Sequence, residues 1–306
     1  MYNEDRKLRF MRDSHRRSAN TANIFEIASA YEAKYDTDIC EFTTPMLRDL
    51  FDNNFGVTAR IKNNVWQRLL YYHDWCMGQG YPTCSDIAGF EPDSKELIRR
   101  TMVASPLHLE RELDKFLRPF GDGGTDNVLR GYFELAFLDF SKEEALALTD
   151  ADLHLESMTI GGDPGVLIPA EFFANLKFCA ESPAVLEYRT RGEKPRTLRR
   201  PPHGQLLRTT KELGANAINS SVQKHKDAHP ESGLTYKGVR DSGMMYRKYQ
   251  ESLATGAPVN FTDEIRDAVR ENCAGKTRTQ INNYQSRLRR DYAAKYESWK
   301  QTFYNI

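Results

Sequence analysis

Residues 235–242 read TYKGVRDS and, after a helix-length interval, residues 274–284 read AGKTRTQINNY. The first stretch carries Lys237 and Arg240, and the second carries Lys276 and ends on Tyr284. From position 276 to position 290 the chain has five cations and no acid. Guanidinium and ammonium groups suit phosphate oxygens, and a tyrosine oxygen can serve as a nucleophile. These two stretches therefore indicate a phosphate-contacting surface, and they organise the rest of the interpretation.

A second basic segment lies between residues 189 and 211, where eight cations accompany a single acid, Glu193. The expected phosphate contacts from both segments are Arg189, Arg191, Lys194, Arg196, Arg199, Arg200, Arg278 and Arg287. The whole chain has 43 Lys and Arg against 43 Asp and Glu, a net charge of zero. Phosphate binding would therefore depend on local segregation of charge. A single basic run of this kind is as often solvated protein surface as it is a phosphate-binding site.

Composition places the chain among ordinary globular proteins of two domains, with 306 residues, 40% hydrophobic and 28% charged. No uncharged apolar run of about 18 residues occurs, so no membrane span is expected. Five scattered cysteines indicate neither a disulfide framework nor a zinc knuckle, and a cytoplasmic location is expected. His225 and His229 have no cysteine or carboxylate partner at a suitable spacing, so neither a metal nor a cofactor is predicted.

Apolar periodicity predicts a mainly α protein with a small antiparallel hairpin or sheet. The predicted helices cover residues 19–35, 45–51, 61–78, 106–116, 126–148 with a break near 139–142, 170–180, 215–226, 240–252, 263–272 and 279–303. Short strands are expected on both sides of the turn at 161–165, and two more are expected around the turn at 191–195. Residues 83–92 are rich in Pro, Gly, Ser and Asp, which is typical of a linker. This linker predicts domains 1–90 and 91–306.

The order of several short motifs resembles the tyrosine recombinase family of phage-type integrases. The motifs are DICEFT at 38–43, the 69–81 segment ending in GY, EALALT at 144–149, MTI at 158–160, TYKGVR at 235–240, and Tyr284. The resemblance implies an N-terminal SAM-like, core-binding helical bundle followed by a catalytic-type domain. It further implies double-stranded DNA as partner, recombination or integration of a mobile element as process, and a homo-oligomer assembled on DNA.

The resemblance also assigns roles to individual residues. Tyr284 takes the position of the nucleophile and Arg240 that of the second arginine. Lys237 stands where the family has a histidine, and Lys276 stands where it has a histidine or tryptophan. If the protein is active, Tyr284 would attack a phosphodiester while the cations stabilise the developing charge. The side chains of Arg240 and Tyr284 are then expected to converge on one positively lined concavity.

Two family positions are substituted. Ser141 occupies the place of the first arginine, and the 161–165 turn lacks the lysine of the family's hairpin, for which Lys194 is the only displaced candidate. We therefore expect a DNA-binding protein whose strand cleavage is weakened or lost. Two alternatives stay open at this point: a functioning integrase with displaced cations, and a helical protein-interaction or regulatory module on the same scaffold.

Overall fold

The computed structural model describes residues 1–14, 19–55, 59–90, 92, 95–118, 125–187, 196–201, 203–209, 212–229 and 232–305. The chain divides into two compact units. One unit combines Met1–Ile98 with Phe261–Ile306, and the other is Arg99–Asn260. This division differs from the boundary expected near residue 90, because the last 46 residues pack with the N-terminal helices instead of with the segment that precedes them.

The first unit is helical. Its helices are α1 (Glu4–Asp13), α2 (Ala19–Tyr35), α3 (Thr44–Asn53), α4 (Ala59–Gly78), α5 (Asp86–Gly89) and the start of α6 (Lys95–Thr101). The second unit contains α7 (Pro106–Leu113), α8 (Thr125–Phe137), α9 (Lys142–Ala147), α10 (Ala170–Glu181), α11 (Ala215–Ala228) and α12 (Tyr236–Thr255). Helices α13 (Thr262–Asn272) and α14 (Arg278–Phe303) complete the first unit. No described helix is long and apolar enough to cross a membrane.

The strands of the second unit are short and antiparallel. A three-stranded sheet contains β1 (Leu153–His154), β2 (Thr159–Ile160) and β3 (Val166–Leu167), and a two-stranded ribbon pairs β4 (Ala184–Glu187) with β5 (Arg196–Arg199). In register, Ile160 faces Leu153 on one side and Val166 on the other. The prediction of a mainly helical fold with a small antiparallel sheet is confirmed.

An aromatic cluster forms the centre of the first unit. The ring of Tyr72 on α4 meets the edges of Phe10 and Phe25, with centroids 5.1 and 5.0 Å apart. Beside it, the fully buried ammonium of Lys7 donates to Glu32, whose second contact is the backbone N–H of Ile39 at 2.8 Å. A buried charge pair of this kind is tolerated only when its hydrogen bonds are made. α1 and α2 are therefore fixed to each other and to the turn that precedes α3.

The second unit is built on close contact between α8 and α12. At Gly243 of α12, an added Cβ would lie 1.8 Å from the backbone oxygen of Phe137 at the end of α8. One position earlier, Ser242 is buried, and its hydroxyl accepts the backbone N–H of Val103 at 2.9 Å. At position 243, only glycine, which has no side chain, lets the α12 backbone come this close to Phe137. The N-terminal half of α12, which carries Lys237 and Arg240, is thereby held firmly against α8.

Candidate nucleic-acid interface

The N-terminus of α14 is defined by local sequence. Gly275 adopts a left-handed conformation, with φ of 75°, in the turn between α13 and α14. Thr277 then caps the helix: its hydroxyl accepts the N–H of Gln280 at 3.3 Å, and the Gln280 side chain accepts the N–H of Thr277 at 2.9 Å. This capping box fixes where the helix begins. It therefore sets which side chains share the face that contains Tyr284.

Two cations lie close to the ring of Tyr284. The ammonium nitrogen of Lys276 lies 5.2 Å from the ring centroid, and the guanidinium carbon of Arg287 lies 5.0 Å from it. Arg287 is one turn further along α14, where i,i+3 side chains are neighbours. Each such contact contributes about 0.5–1 kcal/mol at an exposed site. The aromatic ring thus lies close to two positive charges.

Around this tyrosine the surface forms a shallow concavity of about 570 Å³. We call it the Tyr284 surface; it is lined by Lys276, Gln280, Asn283, Tyr284, Ser286, Arg287 and Arg290. Among the described residues that line it, none carries a carboxylate. Cations, amides and hydroxyls are the groups that contact phosphate oxygens and sugars in nucleic-acid complexes. Of the predicted site residues, the structure brings Tyr284, Lys276 and Arg287 together here. Arg278 lies in the first turn of the same helix, exposed.

Arg240 is engaged by an acid. Its Nε–H donates to two oxygens of Asp139, the carboxylate Oδ1 at 2.7 Å and the backbone oxygen at 3.1 Å. The other carboxylate oxygen, Oδ2, accepts a hydrogen bond from Nη2 of Arg247 at 2.7 Å. Burial lowers the pKa of Arg240 and the Asp139 charge raises it, with a net upward direction. Lys237 is largely exposed and lies 3.5 Å from Asp241. Arg240 is therefore ion-paired within the second unit, and because it shares the Asp139 carboxylate with Arg247, one net positive charge remains there.

Arg240 belongs to the second unit and Tyr284 to the first. Each side chain is described within its own unit, and their convergence on one concavity stays a prediction.

Ser141, in the place of the family's first arginine, has a structural role. Its hydroxyl accepts the N–H of Glu144 at 3.1 Å, and its own N–H donates to the Glu144 carboxylate at 2.7 Å. That backbone hydrogen bond lowers the pKa of Glu144. The reciprocal pair is a capping box that starts α9. The position is thus occupied by a neutral helix cap.

Arg130 does not replace the first arginine, whereas Lys142 is exposed at the start of α9. Arg130 is 1% exposed, and its guanidinium pairs with Glu110 and, at 2.6 Å, with Asp114. The Nζ of Lys142 lies 5.8 Å from the centroid of the Tyr236 ring. A buried arginine held by two carboxylates cannot reach a phosphate at the surface.

The second basic segment divides into outward and inward residues. Arg189, Arg191 and Lys194 lie outside the described residues, and Arg196 is described only through its backbone in β5. Arg199 is exposed on the same strand. The prediction for Arg200 is wrong: it is buried, and its guanidinium donates to the backbone oxygens of Phe178, Ser182 and Leu206 at 3.2–3.4 Å.

Arg208 is internal in the same way. It is 1% exposed and donates to the carbonyls of Gln205 at 2.7 Å and Ala180 at 3.2 Å. Arginines that join backbone oxygens of separate segments stabilise the fold, since otherwise those acceptors would be buried without partners. The adjacent Leu206-Leu207 pair was the sequence signal that this part of the segment is core. The outward charge of the 189–211 segment is thus smaller than its composition indicates.

Comparison with known families gives a match over the N-terminal part of the chain. Residues 1–79 match the family described as MrpR, N-terminal core-binding domain. A core-binding domain of this kind is of the phage integrase and tyrosine recombinase type, which supports the resemblance at a coarse level and indicates a DNA-binding, recombination-related function. The match covers 79 of the 306 residues and includes neither Arg240 nor Tyr284. No curated protein matches the chain.

Proposed function

We propose that this protein binds double-stranded DNA, that the Tyr284 surface contacts the phosphate backbone, and that the chain does not cleave the strand it binds. The observation that carries the proposal is the pair of cations close to the Tyr284 ring in a concavity with no carboxylate among its described lining residues. The match of residues 1–79 to an integrase-type core-binding domain supports duplex DNA as the polyanion.

Charge patterning is consistent with this function in spite of a net charge of zero. DNA affinity comes from cations that displace condensed counterions, and distant acids contribute little beyond a Debye length of about 10 Å at 0.1 M salt. What matters is the local run from 276 to 290, which has five cations and no acid. Exposed Arg199 is a further candidate contact from the second unit.

Loss of strand cleavage is supported by the substitution at the first-arginine position and by the ion pair at the second. Removal of one donor to the developing charge costs an enzyme about 100- to 1000-fold in rate. Here Ser141, a helix cap, stands at the first-arginine position, and Arg240 at the second is ion-paired with Asp139. A functioning integrase would need another cation in place of the first arginine, and buried Arg130 does not provide one.

The binding proposal is tested by the salt dependence of affinity for a mixed-sequence duplex, measured by fluorescence anisotropy. The double variant Arg287→Ala, Arg290→Ala should bind more weakly, and its slope of log K against log salt should fall by about 2. The matched control is Arg266→Ala, Arg270→Ala, which removes two exposed arginines of the adjacent α13, each paired with an acid on its own helix. Equal slopes for the two double variants would contradict the proposal.

Cleavage is tested separately with a nicked suicide substrate, which traps a phosphotyrosyl adduct. We expect no covalent adduct with the natural chain under conditions in which the duplex is bound. An adduct that forms and then disappears in Tyr284→Phe would show that cleavage survives.

A second function, that of a protein-interaction or regulatory module, is favoured by the net charge of zero. It predicts no duplex binding even at about 50 mM salt, where electrostatic binding is strong. The anisotropy titration at that salt concentration therefore separates the two functions.

A further inference from the structure

A second concavity lies in the second unit, between the segment that flanks α8 and the helix α11. Its volume is about 720 Å³. We call it the α11 pocket; its lining residues include Phe116, Arg118, Asp126, Leu129, Ile218 and Lys224. Pockets of about 300–1000 Å³ accommodate small molecules. Neither the resemblance nor the comparison with known families assigns anything to this pocket.

The inner wall of the α11 pocket is apolar and fixed. Val128 and Leu129 of α8 and Ile218 of α11 are buried, and the half-buried Phe116 and Leu213 complete the wall. These residues also belong to or pack against the main core of the second unit, so their positions are set by the fold. A preformed apolar wall stabilises the ring or chain of a ligand by removing it from water. The wall alone would not select among apolar molecules.

The mouth of the pocket adds positive charge. Four of its described lining residues are basic: Arg118, Lys224, His225 and His229. Asp126 is the only carboxylate among the described lining residues: its Oδ2 accepts the backbone N–H of Arg118 at 3.1 Å, and its Oδ1 lies 3.6 Å from Nε2 of His225. Burial lowers the pKa of His225, which makes its ring a neutral hydrogen-bonding group near pH 7. The lining is thus apolar inside, and at the mouth two permanent cations, Arg118 and Lys224, stand against one acid.

We propose that the α11 pocket binds a small amphipathic anion, a molecule with an aromatic or branched apolar body and one carboxylate, sulfonate or similar group. The apolar body lies against the half-buried Phe116 and Leu213, and the anionic group faces Lys224 and Arg118 at the mouth. A ligand without the charge would gain nothing from the basic mouth, and one without the apolar body would leave the wall in contact with water. This assignment is independent of the proposed DNA-binding function.

The probe for the experiment is 1-anilinonaphthalene-8-sulfonate, whose fluorescence rises in an apolar site. A molecule of this size at an efficiency of about 0.3 kcal/mol per heavy atom should bind the full chain with Kd on the order of tens of micromolar. The neutral analogue N-phenyl-1-naphthylamine, which lacks the sulfonate, should bind several-fold more weakly. Equal affinity for the two probes, or no binding of the sulfonate, overturns the assignment.

Two variants locate the bound probe. Lys224→Glu reverses an exposed charge at the mouth and should weaken sulfonate binding by roughly fivefold or more. The matched control Lys177→Glu makes the same charge change on α10, at an exposed site 3.9 Å from Glu181 and outside the pocket lining. It should leave the affinity within about twofold.

Ala228→Trp places a large ring at an exposed lining position and should abolish binding by filling the pocket. Thermal midpoints for all variants establish that each is folded. Sulfonate binding that is unchanged in both Lys224→Glu and Ala228→Trp would place the probe elsewhere on the chain and overturn the proposal.

Discussion

The carboxylate of Asp139 accepts a hydrogen bond from Nε of Arg240 at 2.7 Å, although the two residues are 101 positions apart in the chain. The same carboxylate also binds Arg247 at 2.7 Å. Asp139 has φ of 81°, in the left-handed region that aspartate and asparagine tolerate better than most residues. One acid after the end of α8 therefore holds two arginines of α12 and sets how much positive charge that helix presents.

The substitution Asp139→Asn tests this relationship. An asparagine at this position would keep the left-handed backbone but not the charge, so we expect the free energy of unfolding to fall by about 1 kcal/mol because two half-exposed ion pairs are lost. If α12 faces DNA, affinity at low salt should rise, since the one negative charge that Arg240 and Arg247 share is removed. The control Asp263→Asn makes the same charge change at an exposed ion pair. Identical DNA affinities for the two variants would exclude Arg240 from the interface.

A buried carboxyl pair gives a pH-dependent prediction. Glu134 on α8 is fully buried, and its Oε2 accepts the side-chain N–H of Asn175 at 2.8 Å. Burial, followed by the nearby charge of Glu110, raises the pKa of Glu134 well above its ordinary value. The remaining oxygens, Oε1 of Glu134 and Oε1 of Glu110, are buried without partners when both groups are ionised. A proton on Glu134 that is donated to Glu110 satisfies both.

Because the native state binds this proton more tightly than the unfolded state, its stabilising effect is complete below about pH 4.3, the ordinary pKa of glutamate. The effect is lost as the pH rises toward and through the raised native pKa. Glu134→Gln, which carries a permanent N–H donor, should therefore lose less stability between acidic and alkaline pH than the natural chain. Denaturant unfolding across that range measures the slope. The control is Glu156→Gln, at an exposed position. If Glu134→Gln changed the pH dependence of the unfolding free energy no more than this control does, the shared proton would be refuted.

Substitutions at Ser141 test whether this residue acts as the cap of α9. Ser141→Ala removes the acceptor for the N–H of Glu144 and should cost about 1 kcal/mol of unfolding free energy. Ser141→Asp retains a capping oxygen and should be close to the natural chain in stability. Urea midpoints at neutral pH compare the three proteins. If alanine and aspartate proved equally destabilising, the capping role assigned to Ser141 would be wrong.

Because α12 packs closely on α8, we expect that replacing Gly243 destabilises the fold. Gly243→Ala places a methyl group against the backbone oxygen of Phe137, which cannot rotate away, so we expect a loss of about 3 kcal/mol or more. Gly78→Ala, at the end of α4, has no atom within 4 Å of the added Cβ and should be neutral or slightly stabilising. The difference between their unfolding free energies measures the contact. If Gly243→Ala lowered the unfolding free energy by less than about 1 kcal/mol, the close contact between α12 and the backbone of Phe137 would be contradicted.

Much of the helical framework follows from local sequence. The predicted helix at 19–35 is α2, and the predicted break near 139–142 separates α8 from α9. The strands expected around the 191–195 turn occur as β4 and β5. Three short helices, α1, α5 and α6, were not predicted. α1 has only two buried apolar residues, Phe10 and Met11, which is too few to produce a periodic signal.

The sequence by itself determined the helical class, the capped start of α14 and the neighbouring positions of Tyr284 and Arg287, because a helix of 3.6 residues per turn fixes such spacings locally. Only the tertiary structure decided which arginines face outward. Arg200 and Arg208 are internal because carbonyls from separate segments meet around them, and Arg240 is ion-paired because α12 packs beside Asp139. The packing of residues 261–306 with the N-terminal helices is a tertiary result too. These arrangements arise from contacts between distant parts of the chain, which exist only once the two cores have formed.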